Sequence, residues 1–328
     1  MKLRRFFLIF VPILLVTCLG AICLGSTALS LRQIADGLLG RGDTSVSLIL
    51  RHIRLPRVAA GLLAGIGLGI SGVLLQTVTA NDLASPNIIG INSGAGLAVI
   101  LMLTFFPKGT VLLPAAAFAG AFLAALLILL VSSRFGSSRT FILLIGIAIT
   151  TLFNAAISFL SLLDEGVLAE YNHFTVGSLK GIRMQDLGAS AVLIVLAFLG
   201  ALGISGRLRL LCLGDNAASA LGIKVKQLRL LALGLAAASS AAVVSFAGLL
   251  GFVGLVVPHI ARAQLGQNPR RMLCGSAVLG AIVVILADLL GRTLFAPSEL
   301  PVGVLMSAIG APYFLLMLLG RKRNAALS

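Results

Sequence analysis

The sequence predicts an all-α membrane protein of about ten transmembrane helices. Three observations carry this. Of 328 residues, 59% are hydrophobic and only 11% charged, and the mean hydropathy of +1.12 implies more apolar surface than one water-soluble core encloses. Apolar runs approaching the ~20 residues that span a bilayer recur along the whole chain. No polar stretch is long enough to fold separately, so residues 1–328 read as a single membrane domain.

The first run, 6–25, follows the basic start MKLRR. No A-x-A-like cleavage site follows it, so it reads as a membrane helix rather than a signal peptide. Marking the remaining runs between charged or Gly/Pro breaks gives helices at 55–78, 88–106, 111–133, 139–163, 187–205, 228–250, 252–263, 271–291 and 302–319, the third and eighth of the ten being short. In the second, Gly61, Gly65 and Gly69 repeat every fourth residue, a spacing that lets backbones approach closely.

Ten spans put both termini on one side, and charge selects it. With a cytoplasmic N terminus the inner segments hold sixteen of the 25 basic residues: Lys2, Arg4, Arg5, Arg134, Arg139, Arg207, Arg209, Lys224, Lys226, Arg229, Arg262, Arg270, Arg271, Arg321, Lys322 and Arg323. The outer segments hold seven of the ten acids, so both ends are expected inside. One stretch runs against this bias. RHIRLPR, 51–57, falls in the expected outer loop between the first two helices and carries Arg51, Arg54 and Arg57. Snorkelling toward lipid headgroups and a docking surface for an acidic soluble partner both account for it.

Four further segments stand out. TANDLASPNIIGINSGAG, 79–96, concentrates Asn, Asp and Ser around Pro86; it reads either as a plain turn into a Gly-rich helix or as polar backbone contacting substrate, with Asn92 and Ser93 as path candidates. GFVGLVVPHIAR, 251–262, holds a lone His259 beside Pro258 with no second His or Cys at ligand spacing, so no metal site is assigned. Asp288 is the one acid inside a long apolar run; it is a functional candidate or the partner of Arg292 one turn on. The largest inner loop, 206–227, contains a short predicted helix stopped near Gly222.

Other classes lose support. The pI near 11.2 reflects ten acids against 25 basic residues, not a dense basic face, and no nucleic-acid partner is expected. Four scattered cysteines give no disulfide framework. No phosphate loop, H-E-x-x-H or G-x-S-x-G occurs, so the chain has no recognisable means of hydrolysing ATP or cleaving a bond. Any energy it uses must come from a partner or a gradient.

The blocks IRLPR, GISGVLLQ, NDLASPNIIGINSGAG, LGDNAASALG, GFVGLVVPHIAR and ADLLGRTLFAPSELPVGVLMSAIGAPYFLLML resemble, in order, the FecCD family of ABC importer permeases, which carries iron-siderophore, haem and cobalamin systems. The resemblance implies a type II ABC importer permease fold in a prokaryotic plasma membrane. It implies a second permease subunit, identical or homologous, two cytoplasmic ATPase subunits that bind ATP and Mg, and an extracytoplasmic substrate-binding protein. This chain itself is expected to hold no cofactor or metal. Arg54, Arg57 and Arg292 match positions where the family receives acidic residues of the binding protein. Leu213, Gly214, Asp215, Ala218, Leu221 and Gly222 match its ATPase-docking segment, and Thr140 falls near its inner gate. The outer loop from Asp164 to Asp186 is a candidate for the outer mouth. The expected function is ATP-driven import of a ferric siderophore by alternating access, with haem or cobalamin as alternatives. A gradient-driven secondary transporter is supported by Asp288 alone.

Overall fold

The computed structural model describes residues 3–25, 29–39, 41, 43–107, 109–135, 138–296 and 298–325. Lys2 lies outside the described residues, as do the side chains of Arg321, Lys322 and Arg323. Among the described residues every regular element is helical. In chain order these are α1 (Leu3–Cys23), α2 (Leu31–Leu38), α3 (Thr44–Ile49), α4 (Leu55–Thr79), α5 (Ile91–Phe105), α6 (Leu113–Phe135), α7 (Arg139–Ser161) and α8 (Glu165–Val176). They continue with α9 (Gly188–Leu211), α10 (Asp215–Ala220), α11 (Val225–Ala247), α12 (Val253–Leu265), α13 (Pro269–Thr293) and α14 (Val302–Ala325). Among the described residues seven helical segments are long and apolar enough to cross a membrane, and α5 and α14 add shorter apolar stretches.

The ten runs expected from the sequence return as α1, α4, α5, α6, α7, α9, α11, α12, α13 and α14. The outer connections differ from expectation because they are folded. Capping makes them so: Ser30 and Gln33 form a reciprocal box on α2, Asp43 caps α3 and Asp164 caps α8. RHIRLPR is a correction of the same kind. It is not loop: α3 passes through a π-helical turn, Leu50–Arg54, directly into α4. The extra residue of a π turn shifts the helix face, a device frequent at functional sites.

Helix α4 is the axis of the molecule. In its most apolar window 78% of residues are buried, against 17% for α1. Gly61 lies against Ile285, Gly65 against Gly280 and Gly69 against Ser276, so α13 runs antiparallel to α4 at backbone contact. On its other sides Gly72 meets Gly254 of α12, and Ser239 and Ser71 tie it to α11 through Gly67 O and Ala236 O, both at 2.9 Å. Lipid gives apolar side chains no reason to leave it, so helices associate through close van der Waals contact and such hydrogen bonds. The predicted glycine ladder is therefore the seam that holds α4 to α13.

Candidate functional site at the two ends of the bundle

Charged side chains gather at opposite ends of α4. At its N-terminal end, the Arg57 guanidinium donates from Nε to both Asp288 oxygens at 3.0 Å and from Nη1 to Glu299 Oε2 at 3.0 Å. Arg292 Nε lies 3.6 Å from Asp288 Oδ2. Arg54 donates to Ile22 O and, at 2.8 Å, to Cys23 O, and Arg292 donates to Ala21 O. The last carbonyls of α1, which have no partner within their own helix, are thus covered by two cations, an arrangement the helix dipole favours. Arg54, Arg57, Asp288 and Arg292 are 3%, 7%, 5% and 4% exposed, so this is a buried network rather than a surface patch. Three guanidiniums face two carboxylates and leave a surplus of positive charge. A cavity of about 520 Å³ opens beside it, lined by Arg57, Glu299, His173, Asn172 and Lys180 among others.

The sequence does nominate Asp288, but its local spacing pairs it with Arg292. The structure gives it a closer partner, Arg57, which lies 231 residues away in the chain. Glu299 is not singled out by the sequence, and no local spacing marks it.

At the opposite end, α10 caps the bundle between α9 and α11. Its first residue, Asp215, accepts from Arg229 Nη2 at 2.6 and 2.8 Å and from Arg139 Nη2 at 3.0 Å. Arg229 is 2% exposed and also donates from Nε to Val78 O of α4 at 3.2 Å. Burial alone would push the Asp215 carboxyl up, but hydrogen bonds and charge from Arg229, and then from Arg139, outweigh it and hold the group below its ordinary range. Beside this cluster Arg262 pairs with Asp82 and donates to Gln76 Oε1 at 3.2 Å.

The segment that matches the docking motif has the form of an interface. Ala218 is buried and anchors α10, while Leu213 and Leu221 stand 65% and 58% exposed on either side of it. Gly214 and Gly222 hold φ of +105° and +80°, which a side chain at Cβ would disfavour. Sharp turns at both ends of a six-residue helix therefore present two leucines at the polar end of the molecule.

The three path candidates are not brought together. Asn92 and Ser93 are buried in the first turn of α5, where Asn92 bonds Asn87 and Ser93 donates to Gly90 O at 3.0 Å. Thr140 is exposed in the first turn of α7. Further along the same exposed face, beyond the apolar Leu144 and Ile147, stand three polar residues that the motifs do not mark, Thr151, Asn154 and Ser158. The corresponding faces of α6 and α9 carry only apolar residues until their last turns. Helical spacing of polar residues in an apolar run is the signal that finds them. His259 packs its ring edgewise 6.3 Å from Tyr313, and no metal-binding group of three or more His, Cys, Asp or Glu occurs among the described residues.

The sequence profile of the FecCD transport family matches residues 13–320. The chain belongs to that family. It is 36% identical to the Fe(3+)-citrate import system permease protein YfmE of Bacillus subtilis, over 95% of this chain and 93% of the relative. It is 38% identical to the hemin transport system permease protein HmuU of Yersinia pestis, over 95% and 94%. Among solved structures it resembles one described as an inward-facing metal-chelate type ABC transporter, with a TM-score of 0.86, 30% identity and coverage of 97% of this chain and 99% of the other. The FecCD chain is thus an ABC importer permease, a multi-pass membrane component of transport and not an enzyme.

Proposed function

We propose that this permease imports a ferric chelate of the siderophore class. The observation that carries the reading is the similarity over 95% of the chain to a permease for Fe(3+)-citrate, with further relatives for iron(3+)-hydroxamate and ferric enterobactin. Haem is the second reading, favoured by the HmuU relative. The end holding α10 faces the cytoplasm, in keeping with Arg134, Arg139, Arg207, Arg209, Arg262, Arg270 and Arg271 at the helix ends there. A pair of cytoplasmic ATPase subunits, which bind ATP and Mg, docks on Leu213, Gly214, Asp215, Ala218, Leu221 and Gly222. An extracytoplasmic binding protein delivers the chelate at the other end. There Arg57 opens on the 520 Å³ cavity, and Arg54 and Arg292 add to the positive surplus that draws acidic side chains. A second permease subunit completes the path against the face of α7 that carries Thr140, Thr151, Asn154 and Ser158; Asn92 and Ser93 support the wall of that path from α5.

Uptake by cells lacking this chain, with and without it restored, across labelled ferric siderophores, ferric citrate, haem and cobalamin, tests the reading. Rescue of a ferric chelate is the expected result. Rescue of haem or cobalamin alone overturns the substrate class.

A further inference from the structure

We propose that Arg139 is a positioning residue for transport: through Asp215 it ties the ATPase-docking helix α10 to the gate end of the path helix α7. The inference rests on the reading of α10 as the docking element, and goes beyond it by naming the contact through which docking is felt inside the membrane.

The geometry is a carboxylate held by two unequal arms. One arm is fixed. Arg229 is buried, chelates both Asp215 oxygens, and is itself bonded to Val78 O at the end of α4, the most buried of the spans. The other arm is light. Arg139 reaches a single Asp215 oxygen at 3.0 Å, and its side chain is 33% exposed. It is the first residue of α7, adjacent to Thr140, and α7 packs lightly on its own chain, with only 22% of its most apolar window buried there. Ser138 caps the same turn through the Phe141 N–H at 3.2 Å, so a pull on Arg139 moves an intact helical turn rather than unwinding it. A displacement of α10 is therefore resisted by α4 and α11 and yielded to by α7. Alternating access needs that asymmetry, because the element that moves must be connected to the driver yet weakly bound to the frame.

The two arms also separate structure from transmission. Removing Arg229 leaves its site beside Val78 empty and Asp215 poorly held. Removing Arg139 leaves Asp215 bonded twice by Arg229, with no buried charge unpaired, and a partly exposed ion pair adds little to stability.

The experiment uses the assembled transporter in proteoliposomes, scored for ATP hydrolysis and for chelate uptake per ATP, with ferric citrate and a ferric hydroxamate as probes. Arg139→Ala should assemble and hydrolyse ATP as the parent does. Its uptake per ATP should fall by about threefold to fivefold, the most that a partly exposed ion pair can contribute to a coupling path. Arg139→Lys, which retains the charge, should recover most of that loss. Unchanged uptake per ATP in Arg139→Ala overturns the proposal, and so does a parallel loss of ATP hydrolysis and assembly, which would make Arg139 part of the docking surface itself. Leu213→Asp isolates the underlying reading. If that variant still binds the ATPase and transports, docking on α10 has failed, whatever Arg139 does.

Discussion

Arg57 and Asp288 form a pair whose worth depends on both members being present. Two charges buried to 7% and 5% exposure have lost most of their hydration, and only mutual hydrogen bonding offsets that cost. Arg57→Ala leaves Asp288 with Arg292 at 3.6 Å and takes away the guanidinium that bonds Glu299. It should destabilise the protein by about 3–5 kcal/mol. The double variant Arg57→Ala/Asp288→Ala should cost less than the single changes added together. Thermal unfolding of the four proteins of this cycle in one detergent measures the coupling. That Arg57 and Asp288 are chemically unusual is legible in the sequence, since each is an ionisable group in an apolar chain. That they meet is not, because an antiparallel helix pair brings together residues with no fixed separation in sequence.

Helix α4 owes its position to what its glycines omit. A Cβ at Gly65 would fall on the backbone of Gly280, and one at Gly61 would meet the Ile285 Cγ1 at 2.9 Å. Backbone that close cannot give way, whereas Ile285 Cγ1, though stiffly held on a β-branched carbon, needs to yield by only a few tenths of an ångström. Gly65→Ala should therefore cost about 1–3 kcal/mol or more, the range of overpacked cores, and Gly61→Ala less. The melting temperatures of the two variants against the parent rank them; equal shifts would mean that α13 moves as a unit to accommodate either. The spacing of one glycine every fourth residue is enough to predict close packing on this face of α4. The π turn at Leu50–Arg54 leaves no such mark in the sequence, because it follows from how α3 joins α4 rather than from any local propensity.

At the scale of the whole molecule, the exposed faces of the spans fall into two kinds. Helices α1, α6 and α9 present apolar residues such as Leu15, Leu123 and Leu196, as contact with lipid tails requires. Helix α7 presents Thr151, Asn154 and Ser158 among exposed Leu144, Ile147 and Phe159; the Thr151 hydroxyl is bonded to Ile147 O at 2.9 Å, but desolvation of the Asn154 amide in hydrocarbon would be costly. Water or a partner chain, rather than lipid, is therefore the expected surrounding of α7 at Asn154. With the four native cysteines replaced, Asn154→Cys in the assembled transporter should react with a membrane-impermeant thiol reagent at least about tenfold faster than Leu196→Cys, since only a hydrated thiol ionises readily. Equal rates would remove α7 from the path.

The sequence by itself determined the membrane class, the ten apolar helical runs, the helix-packing glycines and the family, because each is written in local composition, periodicity or motif. It also singled out, by resemblance to the family, Arg54, Arg57 and Arg292 and the segment from Leu213 to Gly222, which the structure places at opposite ends of the bundle. Only the tertiary structure decided that the three arginines are buried in one ionic network. It alone joined Asp215 to both Arg139 and Arg229, and turned the polar side of α7 outward. Those facts depend on which helices become neighbours and on how each is rotated about its axis. Both are set by side-chain packing between distant segments, so no short window of sequence contains them.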